Sequence, residues 1–145
     1  MHPFPHEYSV SANGGPAGGV AVNATGLPQI ETAPPVEFDG PGGTWSPETL
    51  LCASVADCFI LTFRALAKAS KLEWTGLECR VQGTLERVDG VSQFTGFTTH
   101  ARLNVAREVD ADAARSLLEK AERKCLITNS LRGAQTLEIE VASAG

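Results

Sequence analysis

Four cysteines, Cys52, Cys58, Cys79 and Cys125, are the residues of this chain whose chemistry is most reactive. None belongs to a Cys-x-x-Cys pair. Cys52 and Cys58 fall six apart on a segment that reads as helix, which is about 240° around the axis at ~3.6 residues per turn. They cannot share a ligand site within one chain, so a structural zinc is not expected. Thiol chemistry is left, and there the thiolate is the nucleophile. Cys79 alternates with charged residues on the same face as Leu77 and Val81 and reads as a small core hydrophobe. Cys52, near Ala56 and Phe59, reads the same way. Cys58 stands beside Asp57 and in line with Leu51, Val55 and Thr62, and Cys125 follows Arg123-Lys124. On composition alone each of these two fits packing as well as reactivity. His2 and His6, in a Pro-rich start, suit adventitious metal at most, and His100 on the polar side of a strand reads as solvated.

The elements that must position these thiols are legible in outline. Residues 1–45 hold most of the prolines and many glycines, with short strand-like pieces at Glu7–Ala12, Val20–Asn23 and Gln29–Thr32. Gly14 to Gly19 reads as a hairpin loop, and Asp39 to Thr44 as a connector lacking the Gly-Lys-Ser/Thr ending of a phosphate loop. Ser46-Pro47 is a helix start, with an N-cap hydroxyl, proline at N1 and Glu48 in the first turn. No proline or glycine follows until Gly76, and the polar residues Asp57, Arg64, Lys68 and Lys71 fall on one narrow stripe. The spacing predicts a helix from Pro47 to about Ser70 that is apolar around most of its circumference and therefore central and buried. Leu77 to Glu86 alternate, Asp89-Gly90 marks a turn, and Phe97 to Val105 alternate again. A second helix spans about 111–125 behind Asp110, and Leu137, Ile139 and Val141 mark a last strand. The order predicts one α+β domain over residues 1–145 with an antiparallel sheet. Within it, residues 1–45 supply N-terminal strands and loops, and residues 46–145 supply helix, hairpin, helix and strand.

Composition sets limits. The chain has 145 residues, 43% of them hydrophobic and 20% charged, as a folded domain with a core has. Twelve basic against seventeen acidic residues give a net charge of −5, which argues against a phosphate-backbone binder. No uninterrupted apolar run approaches the ~18 residues of a membrane span, so none is expected. The first residues have neither a basic nor an apolar leader segment. The expected location is the cytoplasm, where a static disulfide framework is not anticipated.

Two segments carry a family resemblance. Pro41-Gly42-Gly43-Thr44-Trp45-Ser46-Pro47-Glu48-Thr49-Leu50-Leu51, followed by Ala56-Asp57-Cys58-Phe59, resembles the helix of the OsmC/Ohr family, whose pattern is Asn/Ser-Pro-Glu-x-Leu and then a reactive cysteine. Leu118-Glu119-Lys120-Ala121-Glu122-Arg123-Lys124-Cys125 is similar to the family's second motif, Leu-x-x-Ala-x-x-x-Cys. The resemblance covers roughly residues 36–141. It implies an OsmC-like fold, in which antiparallel sheets pack around a long central helix in an intertwined homodimer. It further implies a cysteine peroxidase for organic hydroperoxides, with Cys58 as the peroxidatic thiol and Cys125 as the resolving thiol. A dithiol, a lipoylated protein for some members, reduces the disulfide. No cofactor and no metal are implied.

The resemblance also implies an arginine in the N-terminal hairpin, held by the counterpart of Glu48, that lowers the reactive thiol's pKa. Here the chain departs: no arginine or lysine precedes Arg64. Cys58 lies about three turns inside its helix, beyond reach of the helix dipole, and so calls for a nearby cation. Arg132, in the loop after Cys125, and Arg64 of the partner subunit are the candidates. Glu48 and Cys58, ten residues apart on one helix, lie about 15 Å apart along the axis. If both serve one site, one of them comes from a second copy. Without a replacement cation, the expectation is an OsmC-like protein of weak or lost peroxidase activity that binds a small apolar ligand or acts as a redox sensor.

Overall fold

The computed structural model describes residues 1–143. These divide into two compact units, the first ending at Leu50 and the second starting at Leu51.

The first unit is a three-stranded antiparallel sheet, β1 (Ser11–Asn13), β2 (Val20–Asn23) and β3 (Ile30–Thr32), in the order β1-β2-β3. The Gly-rich stretch 14–19 joins β1 to β2 as expected. The first strand is shorter and later than the Glu7–Ala12 anticipated. The register Ser11↔Asn23 to Asn13↔Ala21 is set by the partner β2, which extends only to Asn23, so residues before Ser11 have nothing to pair with. Val36–Phe38 form a single 3-10 turn, ended by Asp39 in the left-handed region.

Helix α1 (Pro47–Ala69) begins where the hydroxyl–proline signal places it. The Thr49 N–H donates to Ser46 Oγ at 3.1 Å, and the Ser46 N–H donates to Thr49 Oγ1 at 2.9 Å. This reciprocal pair satisfies two of the donors that a helix start leaves open. Ser46 is buried, so the loss of either bond would leave a polar group stranded.

In the second unit, β4 (Trp74–Val88) and β5 (Val91–Val105) form a long antiparallel hairpin. Its turn is Asp89-Gly90 with φ of 51° and 79°, the two left-handed residues that a tight hairpin requires. Helix α2 (Ala111–Lys124) and a one-turn helix, α3 (Leu126–Asn129), lead to β6 (Ala134–Ser143). Alternation along the strands puts Leu77, Cys79, Ala101, Leu103, Val105, Leu137, Ile139 and Val141 on the face that meets Phe59, Phe63 and Ala67 of α1 and Ala114, Leu118 and Ala121 of α2. Trp74 closes one end, its ring 5.4 Å from Phe63 and nearly perpendicular to it.

Three expectations are corrected. The sheet of the second unit is mixed, because β6 runs parallel to β5, with Gly96↔Ala134 to Val105↔Ser143 in register. The cause is the connection 106–133: long enough to carry α2 back along the sheet, it returns the chain to the same edge in the same direction. Second, α1 is not buried around most of its circumference in a single chain. It buries one stripe at fourfold spacing, Val55, Phe59, Phe63 and Ala67. Third, α1 is long and apolar enough to cross a membrane by length and composition, which counting uninterrupted apolar residues fails to register. Its Phe59–Phe63–Ala67 stripe packs into the core beside β5 and α2, as a core helix does.

Candidate active site

Cys58 lies midway along α1 and is half-buried. One turn on, Thr62 places Oγ1 3.8 Å from Cys58 Sγ. Facing the thiol is the break between α2 and α3. The helix expected to reach residue 125 stops at Lys124, because Cys125 adopts an extended conformation, with φ −65° and ψ 110°. The helical path then resumes at once as α3. The first N–H groups of any helical turn lack an acceptor four residues back. The main-chain N–H groups of Ile127 and Leu126 and the Cys125 side chain lie near enough to the Cys58 thiol to lower its pKa.

The turn is locked from its other side. The Cys125 carbonyl accepts from Thr128 Oγ1 at 3.1 Å and from the Asn129 N–H at 3.0 Å. Ser130 Oγ donates to the Leu126 carbonyl at 2.8 Å. Asn129 Nδ2 donates to the Arg123 carbonyl at 3.3 Å. Cys125 itself is 1% exposed.

The two thiols are driven apart in acidity. Burial pushes the Cys58 thiol up, but the Ile127 N–H, the Cys125 and Thr62 side chains and the Leu126 N–H together outweigh it and leave the thiol below its ordinary value. Burial pushes Cys125 up. The Thr128 N–H and hydroxyl offset part of this, and the hydrogen bond and charge of Cys58 add to it, so Cys125 ends above its ordinary value. Cys58 is therefore the more acidic thiol of the pair and Cys125 the less acidic. Both are free in this structure, as are Cys52 and Cys79.

The other cysteines are held out of this chemistry. Burial and the nearby charge of Cys125 push Cys79 up to about 11. Burial raises Cys52 too, less the effect of a hydrogen bond with the Gly83 main chain. A Cβ on Gly83 would stand 2.9 Å from both Cys52 Sγ and the Phe94 ring, so the bare glycine is what admits the Cys52 side chain.

The structure brings Cys58 and Cys125 together. Glu48 occupies the second position of α1, and its Oε2 is buried without a hydrogen-bond partner among the described residues. Arg64 and Arg132 are both exposed. Neither is among the groups that act on Cys58 within the chain; those groups are neutral dipoles and the Cys125 thiol. The donors that do so escape a reading of the sequence because they belong to the main chain, and nothing in the side chains of Leu126 and Ile127 announces them. Thr62 has a visible signal, its spacing of four from Cys58. His100 is also corrected: it pairs with Glu138, Nδ1 to Oε2 2.7 Å, across the β5–β6 register.

Residues 40–140 match the family model for OsmC-like proteins. The chain is 30% identical over 118 residues to an organic hydroperoxide resistance protein of Xanthomonas axonopodis, covering 79% of this chain and 80% of that one. It is 28% identical over 111 residues to the Bacillus subtilis protein YmaD, with 74% of each covered. Among solved structures, an organic hydroperoxide resistance protein from Legionella pneumophila superposes with a TM-score of 0.74 at 27% identity, over 97% of this chain and 99% of that one. An OsmC-like protein from Vibrio cholerae reaches a TM-score of 0.85 at 14% identity, over 93% and 99%, a likeness of fold alone. With its two cysteine motifs, its mixed α+β architecture and this match over most of its length, the chain belongs to the OsmC-like family.

Proposed function

We propose that this protein is a thiol-dependent peroxidase that reduces organic hydroperoxides, with Cys58 as the attacking thiolate and Cys125 as the resolving thiol. The observation that carries this reading is the neighbouring pair Cys58 and Cys125, whose thiols are shifted in opposite directions. That is the ordering the reaction needs: the more acidic thiol attacks, and the less acidic one stays protonated until it is called on. The organic hydroperoxide resistance proteins among its relatives point to the same substrate class.

In this reading the Cys58 thiolate attacks the terminal oxygen of ROOH. The O–O bond breaks, and the leaving alkoxide takes a proton to become ROH. Cys58 is then a sulfenic acid, oxidised by two electrons. Cys125 gives up its proton and attacks the Cys58 sulfur, the S–O bond breaks, and water leaves with a Cys58–Cys125 disulfide behind. An external dithiol, small or carried as a lipoyl group on a protein, exchanges with the disulfide and restores both thiols while becoming a disulfide itself. A reducing compartment such as the cytoplasm keeps that dithiol supplied.

The reading includes a homodimer. In the single chain α1 buries only one stripe, Leu61 is 49% exposed, and Val36, Phe38 and Trp45 are exposed as well. Apolar area of this kind suits a two-fold contact, which repeats each pairing twice. Arg64 and Glu48 of the partner subunit would then be available to the site from across the two-fold.

The test is consumption of cumene hydroperoxide with a dithiol in excess. Cys58→Ser should abolish it, while Cys125→Ser should retain one rapid turnover and accumulate the sulfenic acid. Wild-type protein that consumes peroxide no faster than Cys58→Ser would end this reading.

A further inference from the structure

We propose that Thr62 is a positioning residue for the reactive thiol: its hydroxyl donates a hydrogen bond to the Cys58 thiolate and holds the sulfur on its face of α1. The proposal rests on Cys58 being the reactive thiol of the reading above, but it concerns the thiol itself and not peroxide turnover.

The helix supplies the geometry. Residues four apart share one face of a helix, and side chains lean toward its N-terminus. A side chain at position 62 therefore reaches back over the turn that carries Cys58, while one at position 54, a turn before it, leans away. The two hydroxyl residues at these positions behave accordingly. Ser54 Oγ donates to the Leu51 carbonyl at 2.7 Å, the usual course for a hydroxyl within a helix. Thr62 Oγ1 instead stands 3.8 Å from Cys58 Sγ, within hydrogen-bond range of a sulfur.

Their neighbours hold the pair in place. Phe59 follows Cys58 and Phe63 follows Thr62, and both rings are fully buried in the core beside β5 and α2. Helix α1 cannot turn about its axis without unseating both rings, which keeps Cys58 and Thr62 together on the adjoining, half-buried face.

The value of the contact depends on the proton. A thiol S–H is a weak donor, so the protonated Cys58 gains little from it. Once the proton leaves, the sulfur can only accept, the hydroxyl donates to it, and a bond to an ion is roughly twice as strong as one between neutral groups. The contact thus favours the ionised sulfur, the direction in which Thr62 acts on this thiol. The titratable group that faces Cys58 from the opposing turn is Cys125, and on α1 the charged residues beside the pair, Asp57 and Arg64, are exposed. In the reaction proposed above Cys125 is spent when the disulfide forms, whereas Thr62 has no such duty and stays beside the sulfur throughout.

The experiment is the pH dependence of Cys58 alkylation in the reduced protein, followed on the Cys58 peptide by mass spectrometry. Thr62→Val, which keeps the branched shape and removes the hydroxyl, should raise the midpoint by about half a unit to one unit. Thr62→Ser, which keeps the hydroxyl, should titrate with the wild type. So should Ser54→Ala, whose lost hydroxyl serves the Leu51 carbonyl. Thr62→Ala, built on the best helix former, should reproduce the rise and covers the case in which the valine variant folds poorly. A midpoint unmoved in both the valine and alanine variants overturns the proposal. An equal rise in Thr62→Ser also overturns it, because the effect would then belong to packing. Since the readout is alkylation, an inactive protein that shows the Thr62→Val rise would sink the functional reading and leave this one standing. An active peroxidase whose titration ignores the hydroxyl would do the reverse.

Discussion

Cys79→Ala should flatten the alkaline limb of this protein's stability curve. The Cys79 thiol packs on the inner face of β4 against the core and is pushed from 9.0 to about 11, first by burial and then by the charge on Cys125. A folded-state pKa above the unfolded one means that the fold binds the proton more tightly. The stabilisation is therefore fully present below about pH 9 and is lost as pH rises through about 11. Two units correspond to about 2.7 kcal/mol at ~1.4 kcal/mol per unit, and because water reaches part of the side chain the realised share is roughly 1–1.5 kcal/mol. Urea unfolding of wild type and Cys79→Ala at pH 8 and at pH 10.5 isolates it. The cavity left by the substitution contributes equally at both pH values and cancels. The wild type should lose on the order of 1 kcal/mol more than the variant over that interval. A brief iodoacetamide pulse at pH 7 gives a second reading, with Cys79 labelled roughly a hundredfold more slowly than an ordinary thiol, in proportion to its thiolate fraction. Parallel stability curves, or Cys79 labelled as readily as Cys58, would refute the view that Cys79 is insulated beside the reactive pair.

Phe63→Ala should cost about 3–5 kcal/mol, read as a lowered urea midpoint, because Phe63 is fully buried and its ring supports Trp74. Cys125→Ala should raise the pH midpoint of Cys58 alkylation by about half a unit to one unit, while Cys125→Ser, which keeps a donor, should leave it nearly in place.

The local features are legible because local chemistry writes them. Ser46-Pro47 starts α1, Asp89-Gly90 turns the hairpin, and the alternation of Leu77 to Glu86 sorts the two faces of β4. Direction and partner are not legible. The period of Leu137, Ile139 and Val141 is the same for a parallel as for an antiparallel strand, and only the returning α2 decides between them. The first strand is displaced from its expected place for a similar reason, since its extent is fixed by β2. At the site, the two cysteine motifs draw attention to the two thiols that the fold brings together. The main-chain donors stay hidden, because an N–H belongs to every residue but proline and acquires meaning only when Cys125 interrupts the helix.

The parallel pairing of β5 with β6 also sets an order of assembly. The β4–β5 hairpin closes across two residues and forms on the microsecond scale, whereas β6 must await the whole connection 106–133 before it can add to the edge. Cys125 lies within that connection, anchored at one end by β5 and at the other by β6. Its encounter with Cys58 is thus among the late events of folding. The meeting of Cys58 with Cys125 thus depends on chain that lies beyond the β4–β5 hairpin, a non-local contact that is slower to form than the hairpin itself.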